Sequence, residues 1–239
     1  MESTTKKNPH KGHRERVREK YIKNGLDAFH EHEVLEMLLF YCYPQRDTNE
    51  ISHGMLDKFQ SLSNLFETDV DVLMKTLNCS KNVAVLLNLV PALSKRYSQS
   101  RWEGSGKIVL DKLERAAKYA MDLFIGETVE HFYVINMDAK CRLINTVLIS
   151  KGTINEVATY PRKIADEISR SRASRIILTH NHPGGTIKPS PGDNEATRKI
   201  SNGLTFLDVD LIDHIIVTGD KYYSYALRSH GGFVKGYDI

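Results

Sequence analysis

The spacing of apolar residues gives this chain two textures. In the first, apolar positions recur at helical intervals. The run EHEVLEMLLFYC (31–42) places Val34, Leu35, Leu38, Leu39 and Cys42 along one helical face, and Pro44 closes it. A second helix starts near Asp47 or Thr48 and turns Ile51, Met55, Leu56 and Phe59 inward. A third element carries Leu62, Leu65 and Phe66, and KNVAVLLNLVPALSKRY, with Ser80 ahead of it and a proline at 91, reads as the last helix. This pattern predicts an all-helical domain over residues 1–100.

The polar stretch SQSRWEGSGK (98–107), with Gly104 and Gly106, marks the boundary. Beyond it, a helix is expected from Asp111 to Phe124. HFYVINMD, RLINTVLIS, RIILTHN and DLIDHIIVTGD are β-branched runs bounded by polar or turn residues, the mark of strands. Between them PRKIADEISRSR, with Pro161 at its start, and NEATRKISNGLTFL read as helices. The expectation is a mixed α/β (α+β) domain over 105–239, a β core flanked by helices.

Composition narrows the class. The 239 residues are 41% hydrophobic and 26% charged, as in an ordinary globular protein, and a net charge of +3 is too small to argue nucleic acid by itself. The charge is uneven. Residues 1–20 hold Lys6, Lys7, Lys11, Arg14, Arg16, Arg18 and Lys20 against Glu2, Glu15 and Glu19. Such an arm either binds phosphate or is a solvated end. Cys42, Cys79 and Cys141 form no CxxC pair, which suits a reducing compartment rather than a disulfide scaffold. There is no apolar run of membrane-spanning length, and MESTTKKNPH has no signal-peptide core, so a cytoplasmic location is expected.

The stretch THNHPGGTIKPSPGD (179–193) carries the candidate chemistry. Residues i and i+2 of a strand share a face, so His180 and His182 point the same way at a strand end. Pro183, Gly184, Gly185, Pro189 and Pro191 suit a stiff, tightly turned loop that returns Asp193 to the histidines. Two imidazoles and one carboxylate leave a fourth position open on a divalent ion, as catalytic zinc sites do. Iron or manganese would also accept this donor set, with tetrahedral zinc the default. Each residue has a plainer reading. His180 and His182 could be ordinary loop histidines. Ser190-Pro191-Gly192-Asp193 is also a helix start, with Ser190 as cap and Asp193 as its reciprocal acid.

His180-x-His182, seven residues, Ser190, two residues and Asp193 resemble the JAMM (MPN+) metallohydrolase motif, and HNHPGGTIKPSPGD is similar to the RadC family within that group. GHRERVREKYIKNGLDAFHEHEVLEMLLFY and IDHIIVTGDKYYSYAL resemble the family's N-terminal region and C-terminal strands. The resemblance implies Zn2+ held by His180, His182 and Asp193. It also implies a glutamate at the start of the first core strand acting on zinc-bound water, and Glu130 is the matching position. Spacing alone does not select Glu130 over Glu127 or over a solvated strand-edge acid. The motif further gives Ser190 an oxyanion-supporting role beside capping. Asp213-His214 also matches the family. Adjacent strand residues face opposite ways, so one pocket is not expected to hold both.

The chain departs from the family in two places. Where RadC-like sequences carry the glycines of a helix-hairpin-helix turn, this chain has TLNCSKNVA, with Asn78, Cys79 and Ser80 in the turn. Losing those glycines weakens the case for close approach to DNA phosphate. In YPRKI, Lys163 stands where a glutamate is expected. The resulting expectation is a zinc-dependent metallohydrolase, a metallopeptidase or isopeptidase of unspecified substrate. The alternatives are a DNA repair-associated protein or metal-dependent nuclease reaching nucleic acid through the basic N-terminal region, and a metal-binding module without turnover.

Overall fold

In a computed structural model, residues 12–104, 106–152, 160–228 and 235–237 are described. Lys6, Lys7 and Lys11 of the basic arm lie outside them. The chain divides into two compact units, Met1–Pro91 and Ala92–Ile239.

The first unit is helical, as the pattern predicts, with helices α1 (His13–Asn24), α2 (Glu31–Leu39), α3 (Thr48–Phe59), α4 (Leu62–Phe66) and α5 (Val70–Leu77), and the opening half of α6 (Lys81–Glu103). Leu35, Leu39, Met55, Leu65, Leu73, Val83, Ala84 and Leu87 form its core. Part of the sequence read as a basic arm is α1, and several of its side chains are engaged. Arg14 donates to the carbonyls of Phe40, Tyr43 and Arg46, and Lys20 pairs with Glu33 at 2.6 Å. Helix α2 stops at Leu39, short of Cys42. The amides of Cys42 and Tyr43 both turn back to the Leu39 carbonyl, and Pro44 disfavours helical geometry in the residue before it.

Of the three residues in the hairpin turn, Asn78 alone adopts a left-handed conformation (φ 47°), ending α5. Asparagine is the side chain best able to stand in for glycine there. Helix α6 continues past Tyr97 to Glu103, so the first six residues of the stretch read as a boundary are helical. SQSRWE contains no glycine or proline to stop a helix, and Gly104 follows its end.

The second unit adds α7 (Leu113–Leu123), β1 (His131–Met137), β2 (Leu143–Lys151), α8 (Tyr160–Ser171), β3 (Arg175–Asn181), α9 (Pro191–Thr205), β4 (Asp210–Thr218), β5 (Lys221–Ser224) and α10 (Tyr225–Arg228). Among the described residues the sheet has order β2-β1-β3-β4-β5 and is antiparallel except for β3–β4. That parallel pair is joined through α9, as a parallel connection requires. The inner strands β1, β3 and β4 are buried on both faces and read as near-continuous apolar runs, whereas edge strand β2 exposes Ile144 and Leu148.

Strand alternation sorts side chains into two cores. Phe132, Val134, Ile176 and Leu178 face Ile164 and Ile168 of α8 and Ile200 and Leu204 of α9. Ile135, Met137, Ile177, Ile215 and Val217 face Ala116, Ala120 and Leu123 of α7. His180 continues the Ile176–Leu178 face, and Asn181 continues the Ile177 face. The sheet therefore sends His180 and Asn181 to opposite sides.

Candidate metal centre

β3 ends at Asn181, and His182 follows with its backbone N–H bonded to Val217 O at 2.8 Å. The chain then turns through Gly185 (φ 81°), where a Cβ would strain the left-handed backbone. The turn brings the Thr186 carbonyl to 2.7 Å from His182 Nδ1. A carbonyl only accepts, so Nδ1 carries the proton and His182 Nε2 keeps its lone pair.

Pro191 opens α9 behind the cap residue Ser190. Ser190 Oγ accepts from Asp193 N at 3.1 Å, and Asp193 Oδ2 accepts from Ser190 N at 2.7 Å, a reciprocal capping box. Capping consumes one carboxylate oxygen. The other, Oδ1, lies 3.2 Å from His180 Nε2. The capping and ligand readings of Asp193 are thus compatible in one side chain.

His180 Nε2 stands 2.9 Å from His182 Nε2, and His182 Nε2 is 3.5 Å from Asp193 Oδ2. One ligand atom from each of the three residues lies within 4.8 Å of the others. His180 and Asp193 are buried. Two imidazole lone pairs and a carboxylate aimed at one point repel each other unless a proton or cation sits between them. The donor set therefore fits a divalent cation, with two nitrogens and one oxygen as ligands. Among the described residues this is the group of three or more His, Cys, Asp or Glu side chains able to hold a metal ion.

The electrostatics agree. Burial alone would raise the Asp193 carboxyl, but the adjoining His180 and His182 rings outweigh it and hold the group far below the usual carboxylate range. The nearby Asp193 carboxylate in turn raises His182, against the opposing effect of burial.

Behind His180 lies a layer that the sequence did not reveal. His180 Nδ1 is 2.8 Å from His214 Nε2, and His214 Nδ1 is 2.6 Å from Thr197 Oγ1, all within the buried interior. Burial drives His214 well below the ordinary histidine range, keeping it neutral. Thr197 is legible in hindsight as the residue one helical turn past Asp193. His214 has no local signal. It arrives through the β3–β4 register, which pairs it with Leu178. Its neighbour Asp213 faces the other way, into hydrogen bonds with Ser224, Tyr237 and the backbone of Ala226.

Glu130 immediately precedes β1, and its carbonyl accepts from Gly152 N at 2.8 Å. It shares a cleft of about 490 Å³ with His182, Lys188 and Ser190. The competing acid Glu127 is occupied elsewhere, 2.5 Å from Lys95 Nζ and 3.3 Å from His131 Nε2. Asn181, the residue between the two histidines, accepts from His131 N at 2.7 Å and donates to Val129 O at 3.0 Å. It therefore grips the backbone on both sides of Glu130. Lys163 is an exposed residue of α8, and nothing in the structure explains its substitution for glutamate. No helix among the described residues is long and apolar enough to cross a membrane.

Residues 110–231 match the family described as RadC-like JAB domain. A UPF0758 protein of Fusobacterium nucleatum is 37% identical over 219 residues, covering 90% of this chain and 94% of its own length. A UPF0758 protein of Pseudoalteromonas translucida is 30% identical over 214 residues, covering 90% and 95%. The helical first unit, the mixed sheet and the His-His-Asp cluster at the end of β3 are thus those of a chain that belongs to the RadC-like JAB domain family.

Proposed function

We propose that this protein is a metal-dependent hydrolase of amide bonds, a peptidase or isopeptidase, with zinc at His180, His182 and Asp193. The observation that carries the reading is convergence. One ligand atom from each of three residues lies within 4.8 Å of the others, and His182 shares its cleft with an acid, Glu130, and a hydroxyl, Ser190. A divalent cation bound there would supply Lewis-acid chemistry, polarising a carbonyl and acidifying water.

The remaining work falls to side chains. Glu130 takes the proton of the attacking water and returns it to the leaving amine, a general base that becomes a general acid. Ser190 spends its oxygen on the Asp193 N–H, so its own proton remains to donate toward a developing oxyanion in the cleft. His180 and Asp193 sit in buried surroundings, where electrostatic interactions are stronger than in water. Lys188 lines the same cleft and favours substrates with a negative group near the scissile bond.

The test is hydrolysis of a panel of peptides and Lys-linked isopeptides by zinc-loaded wild type and by Glu130→Gln. The reading expects turnover in wild type and a loss of about 10²- to 10⁴-fold in the variant, with zinc content unchanged. Equal rates in both, with metal bound in both, would reject Glu130 as the base.

A further inference from the structure

With the fully buried His214 neutral, the contacts behind His180 have one consistent assignment of protons. Thr197 Oγ1 lies 2.6 Å from the Asp193 carbonyl, which can only accept, so the hydroxyl donates to it. The same oxygen, 2.6 Å from His214 Nδ1, must then accept, and His214 carries its proton on Nδ1. A neutral imidazole has one N–H, so His214 Nε2 is an acceptor. It faces His180 Nδ1 at 2.8 Å, and His180 must therefore donate from Nδ1. What remains on His180 is an unprotonated Nε2, the atom facing His182 Nε2 and Asp193 Oδ1.

We propose that Thr197 and His214 are positioning residues that lock His180 in its Nδ1–H tautomer, with Nε2 presented to the metal, and that tie this lock to the backbone of the third ligand, Asp193. The inference rests on the reading of His180, His182 and Asp193 as a metal site. The hydrogen bonds run Asp193 carbonyl, Thr197 hydroxyl, His214, His180, and the unprotonated Nε2 of His180 then faces the Asp193 carboxylate across the position the cation would take. Its members are fixed by their surroundings. Thr197 and His214 are fully buried, His214 stacks on Tyr225 with ring centroids 5.0 Å apart, and Phe132 packs against both His180 and His214. Histidine ligands are generally oriented by whatever their second nitrogen donates to, commonly a carboxylate or carbonyl. Here that acceptor is a second histidine, which needs Thr197 to hold its own tautomer.

Two readouts test this on the full chain, neither of which is activity. The first is long-range ¹H–¹⁵N NMR of the histidine rings in metal-free protein at pH 8, reading which nitrogen of His180 and His214 bears the proton. The second is Zn2+ affinity by competition with a chromophoric chelator, for wild type, Thr197→Val and Thr197→Ser, with melting temperature recorded for each. The expected results are protons on Nδ1 of both rings in wild type, and Zn2+ binding weakened about 10- to 100-fold in Thr197→Val. Thr197→Ser, which keeps the hydroxyl, should bind within about threefold of wild type.

A wild-type His180 protonated on Nε2, or a Thr197→Val variant that binds Zn2+ as tightly as Thr197→Ser, would overturn the inference while leaving the metal site standing. Wild type that fails to bind Zn2+ yet shows both Nδ1 protons would remove the metal reading and support the hydrogen bonds behind His180.

Discussion

The side-chain oxygen of Asn181 accepts the backbone N–H of His131 at 2.7 Å, joining the residue between the two candidate metal ligands to the residue after Glu130. The Asn181 amide donates to Val129 O at 3.0 Å, so the peptide units flanking Glu130 hang from β3. Replacing Asn181 with Ala leaves the buried His131 N–H without its acceptor and removes one of the donors to Val129 O, a loss of about 1–3 kcal/mol. It also frees the segment that carries Glu130, and a displacement of about 1 Å can lower turnover on the order of 10²-fold. The expected outcome, checked by kcat alongside zinc content, is reduced kcat with zinc retained, because no metal ligand is touched.

Glu127 and Glu130 are three residues apart but differ in surroundings. Glu127 is held by Lys95 and His131, whereas Glu130 lines the cleft with His182. Glu127→Gln should keep kcat within about tenfold of wild type and lower the melting temperature. Glu130→Gln should lower kcat by about 10²-fold or more with little change in stability. Steady-state kinetics and thermal melts on the pair separate the roles.

These contrasts mark where sequence reading succeeds and where it stops. The strands β1, β3 and β4 were legible because strands buried on both faces are apolar along most of their length, and such runs stand out. His180, His182 and Asp193 were legible because a strand end, a Pro/Gly loop and a helix cap are local in sequence. Asn181, Thr197 and His214 were not, because their roles depend on which strands pair and in what register, and only the folded sheet supplies that. Helix α1 was missed for another reason. Its charged residues look like a solvated arm until Arg14 is seen capping carbonyls about thirty residues away. The resemblance to a family, rather than spacing, singled out Glu130.

Ser190 joins two roles that one variant can separate. Ser190→Ala removes the cap to Asp193 N, which destabilises by about 1 kcal/mol. If its hydroxyl also supports the oxyanion, kcat falls on the order of 10²-fold, far more than this modest loss of stability accounts for. Paired urea denaturation and kinetics at a temperature where both proteins are folded should show the two effects independently. A fall in stability with unchanged kcat would leave Ser190 as a cap only.

Asp213 gives a pH dependence of known sign. Burial pushes its carboxyl from the ordinary 3.8 up to about 6, and the hydrogen bonds from Ser224, Ala226, Tyr237 and His214 offset only part of that. A folded-state pKa above the unfolded one means the folded protein binds the proton more tightly. The stabilisation is complete below about pH 4 and is lost as pH rises through about 6, with an upper magnitude of roughly 3 kcal/mol. Asp213→Asn has no proton to lose. In metal-free protein, the difference in unfolding free energy between wild type and Asp213→Asn should therefore shift in favour of the variant between pH 4 and pH 7. Parallel stability curves would contradict the assignment.

The proposed function depends on His180, His182 and Asp193 holding one divalent ion. Its most direct test is metal content by mass spectrometry on protein purified without a metal-affinity tag and then supplied with Zn2+, comparing wild type with the His180→Ala/His182→Ala double variant. About one zinc per chain is expected in wild type and none in the variant. No zinc in wild type, or equal zinc in both, would contradict it and leave THNHPGGTIKPSPGD as a capped turn.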